Sequence, residues 1–288
     1  MRLALLLLAC LALPAFAQRP DLIEVVEISG EITEGTATQI DQTVAAINDN
    51  PAVKAVLLVV KSPGGGVAAT AETYAALGRL KPPVVAWCSY VCASGGIYIL
   101  MASSVKHIAV SEQAISGSVG VIAQITRFNR LLDWLRVDND TYKSGGLKAA
   151  GSPMHEPTAE ERKYLQGVVD EFADRFYAVV KRARPQLSDW SAVKSARIFI
   201  GDQAVKVGLV DAVMGKDAAI KKAKELSGSK NIYTREELKK MSRAADERPA
   251  FAFSLPQAFG DVPWLIEVLK EVRRGETTRF MYRMPYEF

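Results

Sequence analysis

Histidine is scarce in this chain: 288 residues contain only His107 and His155. A hydroxyl nucleophile that needs an imidazole base therefore has two places to find one. His107 opens an apolar strand-like run and is expected to point away from any loop. His155 sits in the proline-bounded loop Pro153-Met154-His155-Glu156-Pro157, with no carboxylate evidently placed to orient it. Both are expected as solvated surface residues. Cysteine is nearly as sparse, with three residues. Cys88 and Cys92 have no further cysteine or histidine nearby, which argues against a zinc-type site. The net charge of +4 is too small to argue for nucleic acid, and no basic stripe interleaved with aromatics occurs. The glycine-rich stretch lacks the Lys-Ser/Thr ending of a P-loop, and GxGxxG is missing, so phosphate and dinucleotide readings rank low. There are no internal repeats. Past the N-terminus, no apolar run is long enough to span a membrane.

What is present begins with a leader. Arg2 gives a positive start, Leu3–Leu13 an apolar run, and Ala15-Phe16-Ala17 a small-x-small cleavage site. Cleavage after Ala17 is expected, placing the mature protein in the periplasm or outside the cell; an uncleaved N-terminal anchor is the alternative. The whole chain, 49% hydrophobic and 24% charged, has ordinary globular composition. Export permits disulfides. Residues four apart on a straight strand are too distant to bridge, although a turn at Ser89–Val91 closes that gap. Two small buried thiols are the expectation for Cys88 and Cys92, with a disulfide as the alternative.

The chain then alternates. Ile23–Ile28 reads as a strand, and Glu34–Asn50 as a helix with Ile40, Val44 and Ile47 on one face. Val53–Val60 is an almost continuous apolar run, as for a strand buried on both sides. Lys61-Ser62-Pro63-Gly64-Gly65-Gly66 follows, then a helix over roughly Val67–Leu80, a strand at Val84–Trp87, and a small helical pattern at Ile97–Ala102. This order predicts an α/β fold with a parallel sheet and right-handed crossovers. A further short strand is expected at His107–Val110 and a short helix at Phe128–Leu135, and Ile198–Ile200 and Leu209–Val213 read as short apolar segments. Thr158-Ala159-Glu160-Glu161 is a capping box opening a long helix with Leu165, Val168, Val169, Phe172, Phe176 and Val179 on its face. Three segments are expected: a leader at 1–17, a main domain at 18–226, and a C-terminal helical extension at 227–288. In the extension, Arg243–Pro249 reads as a solvated linker. Trp264–Arg274 is amphipathic and basic, so packing on its own domain or a partner is expected, with peripheral membrane contact second. The aromatic end, Phe280–Phe288, is expected to dock.

The stretch Pro82–Gly96 holds the main chemical candidate. Ser94, in Ala93-Ser94-Gly95-Gly96, stands between a buried strand and a helix start, where free N–H groups favour negative charge. Locally, an N-cap serine is the simpler reading. With both histidines set aside, a lysine is the remaining base. Ordinary lysine titrates near ~10.4, and burial among apolar groups lowers that value. Lys148 lies in a small-residue loop without an acid within several positions, although a surface lysine is the plainer reading. Gly64–Gly66, after a buried strand, and the N–H of Gly95 can offer oxyanion donors.

Five motifs in order then carry a resemblance: SPGGG (62–66), ASGG (93–96), GSVGVI (117–122), KSGGLKAAGSP (143–153) and IGDQAVKVGLVDAV (200–213). Over roughly Ile23–Leu226 the chain resembles the signal peptide peptidase A family, serine–lysine peptidases of the Clp protease/crotonase-like fold. The resemblance implies Ser94 as nucleophile, Lys148 as general base, and Ser118 as the serine that holds the lysine amine. It implies Gly65 and Gly95 as oxyanion donors, no metal or other cofactor, and peptide substrates such as signal peptides or other unfolded apolar segments. It also implies a homo-oligomer with its cleft at subunit boundaries. Cys88 and Cys92 depart from the methionine, glycine or alanine usual there, and the acid that often follows the lysine is missing. A thioester-directed enzyme of crotonase type and a non-catalytic scaffold are the rival functions.

Overall fold

The computed structural model describes residues 20–246. The expected leader, the Trp264–Arg274 helix and the aromatic end lie outside the described residues. Among these residues, no helix is long and apolar enough to cross a membrane.

The sheet is built outward from one strand. In β2 (Val53–Ser62), all residues from Ala55 to Val60 are buried, as the unbroken apolar run predicts. β1 (Asp21–Ser29) and β3 (Val84–Ala93) flank it in parallel. The connections are helical. α1 (Glu34–Asp49) starts at a capping box between Thr33 and Thr36 and buries Ala37, Ile40, Val44 and Ile47, a three-to-four-residue spacing that makes one face. α2 (Val67–Gly78) follows the glycine-rich turn. Leu57 and Leu58, adjacent in sequence, point to opposite cores and are both fully buried. Truncating either to alanine is expected to cost about 2–5 kcal/mol.

β3 is longer than the expected Val84–Trp87 and changes partner partway. Val84–Cys88 pairs with β4 (Val105–Val110), whereas Val91–Ala93 pairs with β5 (Ile115–Gly117). The irregularity between these halves shortens the Cys88–Cys92 Cα separation to 5.9 Å, and the two form a disulfide. The expectation of free thiols is thereby corrected. Both residues are fully buried, as expected, and the register irregularity within the continuous strand, rather than a turn, brings them together. β5 continues antiparallel to β6 (Ile198–Ile200), and β4 pairs with β7 (Ala212–Val213).

After β3 come α3 (Gly95–Ile99), α4 (Asn129–Leu135) and the 25-residue α5 (Ala159–Ala183). The short helices α6 (Trp190–Lys194) and α7 (Asp202–Lys206) precede α8 (Lys216–Ser227). One core lies between the sheet and α1, α2, α3 and α5. On the other face, Ala219 and Ala223 of α8 cover Ile23, Ala55, Leu57, Val59 and Val85. Past the boundary expected at residue 226, β8 (Ile232–Thr234) still joins the sheet, pairing in parallel with Asp21–Ile23. α9 (Arg235–Asp246) then occupies part of the expected linker. The fold is α/β with a mostly parallel sheet and flanking helices, as expected.

Candidate active site

Ser94 lies where β3 gives way to α3. Its backbone adopts φ 51° and ψ −123°, a region rarely occupied by residues with a side chain. Such a conformation costs on the order of 1–3 kcal/mol and survives only when the surroundings hold it. Here the β3–β5 pairing runs up to Ala93 and Gly117, and the Ser94 N–H donates to the Gly117 carbonyl at 2.9 Å. The Ser94 carbonyl accepts from Ile97 and Tyr98, opening α3, while its side chain makes no capping hydrogen bond. The local reading of Ser94 as a side-chain cap is thus corrected: the backbone does the capping, and among the described residues the hydroxyl has no hydrogen-bond partner.

The glycine-rich turn packs directly against this residue. Buried Ser62 braces the turn, its Oγ accepting from the Gly64 N–H at 3.1 Å. Gly64 has φ +110°, and a Cβ there would fall 2.9 Å from Ser94 Cβ and 2.7 Å from the Gly95 nitrogen. Only a residue without a side chain allows this approach. Gly65 is exposed and bridges to Ile32, whose carbonyl accepts from the Gly66 N–H. Gly95 is the first residue of α3, so its N–H has no carbonyl within the helix. A Cβ on Gly95 would meet Thr70 Oγ1 at 2.5 Å. That hydroxyl is buried and has no hydrogen-bond partner among the described residues.

Ser118 also has a left-handed backbone, φ 51°, and its N–H donates to the Arg197 carbonyl at 3.0 Å. It directly follows Gly117, so the fold brings Gly64, Gly65, Ser94, Gly95 and Ser118 into one neighbourhood. Lys148 is carried by a different segment. It occupies an exposed 3₁₀ turn, Gly146–Ala149, and among the described residues no hydrogen bond or ion pair engages its ammonium. Several large apolar side chains in the segment before that turn are open to solvent. Ile122 is 87%, Trp134 78% and Tyr142 94% exposed, and α4 has no buried residue.

Neither histidine is plain solvated surface. His107 is half-buried on β4, with Nδ1 3.8 Å from Asp211 Oδ2 and a buried Nε2. Burial pulls its pKa down, against the opposing pull of Asp211. Burial pushes the Asp211 carboxyl up, but hydrogen bonds from buried Arg184 and the Ile108 N–H outweigh it and hold the acid low. His155 does have an orienting carboxylate: its Nε2 lies 3.1 and 3.2 Å from the two oxygens of Glu161. Glu161 is only 1% exposed. The Thr158 N–H, and then His155, hold its carboxyl below the usual range. The sequence reading recognised Thr158–Glu161 as a cap but missed this partnership. It also missed Thr70, whose one signal was a hydroxyl residue one turn into the helix after the glycines.

The sequence model of peptidase family S49 matches residues 76–230, more than half of the chain, and that of Clp protease matches residues 21–117. Over 190 residues the chain is 40% identical to "Putative signal peptide peptidase SppA" of Enterococcus faecium, covering 63% of this chain and 54% of that protein. It is 32% identical over 206 residues to "Putative protease slr0021" of Synechocystis, covering 70% of this chain and 73% of the relative. A "Serine protease SPPA, chloroplastic" of Arabidopsis thaliana is 29% identical over 196 residues, or 66% of this chain and 28% of that one. The match thus spans about half the length of the Enterococcus relative.

Proposed function

Because the chain belongs to peptidase family S49, we propose that it is a serine endopeptidase working through a Ser94–Lys148 dyad. The observation that carries the reading is Ser94 itself, with a free hydroxyl on a constrained turn between Gly64 and Gly95. Ser94 Oγ attacks the peptide carbonyl carbon while the neutral Lys148 amine takes the hydroxyl proton. The tetrahedral oxyanion rests on the Gly65 and Gly95 N–H groups. Lys148 passes its proton to the leaving amine, then deprotonates the water that hydrolyses the acyl-enzyme and regenerates Ser94. Ser118 steadies the lysine amine.

A lysine serves as a base only where burial disfavours its charge. In a single chain Lys148 is exposed, so we assign its burial to a homo-oligomer with the cleft at subunit boundaries. Two features support this. The exposed Ile122, Trp134 and Tyr142 precede the lysine turn in sequence and are the kind of apolar side chains that subunits cover. Roughly 22 Å of α5 separates Phe176, which packs on Tyr98 just after Ser94, from Glu161 near the lysine loop, a span beyond one lysine side chain. The substrates are proposed to be signal peptides or other unfolded apolar segments bound as an added strand, met outside the cytoplasm after leader-directed export. The test is hydrolysis of an unfolded reporter protein by the mature chain, its S94A variant and its K148A variant. Each variant alone is expected to be inactive. Mixing them is expected to restore activity, because some clefts then hold an intact serine and an intact lysine from different chains. Activity in either variant alone would refute the dyad; an inactive mixture of exchanged subunits would refute the shared cleft.

A further inference from the structure

Glu161 has more partners than a helix cap requires. A capping box needs one carboxylate oxygen to reach the N-cap N–H, and Oε2 does so, accepting from Thr158 at 2.9 Å. Such glutamates ordinarily stand in solvent, yet this one is buried and receives an ammonium and an imidazole. His155 Nε2 contacts both oxygens, and Lys143 Nζ lies 3.8 Å from Oε1. The same Lys143 ammonium donates to the Gly146 carbonyl at 2.8 Å. Gly146 is the first residue of the 3₁₀ turn that carries Lys148. Lys143 and His155 therefore enter on either side of the lysine turn, and one buried carboxylate gathers both. Further ties hold the same loop: the Phe128 N–H donates to the Pro153 carbonyl at 2.8 Å, and Glu156 is paired with Arg127 and Arg162.

The carboxylate is in turn fixed by α5. Near the far end of that helix, Phe176, Val179 and Val180 are buried, and the Phe176 ring meets Tyr98 edge-on at 4.8 Å. Tyr98 belongs to α3, the helix that Ser94 opens. One rigid helix thus supports the nucleophile's element at one end and the lysine's loop at the other.

We propose that Glu161, acting through Lys143 and His155, is a positioning residue that holds the Lys148 turn in its working geometry. The proposal rests on the dyad reading above. Without the clamp, a glycine-rich turn of Ser144, Gly145 and Gly146 leaves Lys148 free to sample many positions, and a displacement of 1 Å can lower a rate by about 100-fold. Lys143→Met removes the link while leaving the Thr158–Glu161 cap whole, and Lys143 is exposed enough for the fold to survive it. The experiment measures kcat and KM for reporter hydrolysis, and melting temperature, in the wild type, K143M, K143R and K148A. K143M is expected to lower kcat about 10- to 100-fold with KM and melting temperature little changed. K143R, which keeps a donor, is expected to recover most of the loss. Wild-type kcat in K143M beside an inactive K148A would overturn the clamp and leave the dyad standing. An active K148A would instead overturn the dyad. A lower kcat in K143M that tracks a falling melting temperature, without recovery in K143R, would reduce Lys143 to a structural role and overturn the proposal.

Discussion

The Ser94 N–H donates to the Gly117 carbonyl at 2.9 Å, so the fifth strand of the sheet directly holds the residue that ends the third. This bond ties ASGG to GSVG, two motifs well separated in sequence, and places Ser118 beside the Ser94 backbone. Both serines have φ of 51°, and each is fixed by a backbone hydrogen bond to a neighbouring segment. The strained geometry is therefore imposed by the sheet rather than by local sequence, which is what a preorganised nucleophile needs.

Gly64→Ala is expected to abolish hydrolysis in a protein that still folds. The added methyl group would sit 2.9 Å from Ser94 Cβ and 2.7 Å from the Gly95 nitrogen, at a φ that disfavours any side chain. A melting curve measured beside the activity separates this from unfolding. The expected stability cost is about 1–3 kcal/mol.

Thr70→Val is expected to stabilise the protein by about 1 kcal/mol. The swap keeps the shape and removes a buried hydroxyl that has no partner, and leaving such a group unpaired costs about 1–3 kcal/mol. Chemical denaturation of the two proteins measures the difference directly.

The Cys88–Cys92 bond predicts that denatured, unreduced mature protein offers no alkylatable thiol from this pair. Replacing both with alanine is expected to cost about 2 kcal/mol, the loop-closure value for so short a ring. Counting thiols with and without reductant, then melting both forms, checks each part.

Acid is expected to destabilise the fold through His107. Its folded pKa lies below the ordinary 6.5, so the unfolded chain takes up the proton first. Stability is therefore full above about 6.5 and declines as pH falls from there towards the lowered folded value. His107→Gln should flatten the stability profile just below about pH 6.5, which denaturant titrations at several pH values would show. A second decline follows at lower pH as Glu161 and Asp211, both held below their ordinary values, take up protons.

Periodicity exposed the sheet's central strand and its first helix because burial on both faces leaves an unbroken apolar run, and burial of one face leaves a three-to-four spacing. α1 and α2 ended within two residues of expectation. The partner change within β3 had no such signature: an irregularity of register is a property of pairing, not of composition, and the disulfide depended on it. The Ser94 hydroxyl had the opposite problem. Serine before a helix is commonly a cap, and only the backbone angles show that its side chain is not used that way. His155 was misread because its carboxylate, Glu161, had already been assigned to the cap it also serves.

The central claim is that Ser94 is the nucleophile and Lys148 its base. The most direct measurement is the rate at which a fluorophosphonate probe labels the assembled mature protein, with the modified residue located by peptide mass, in the wild type and K148A. The account predicts labelling at Ser94 in the wild type, slowed at least about 100-fold in K148A. Labelling at another residue, or equal rates in the two proteins, would contradict it.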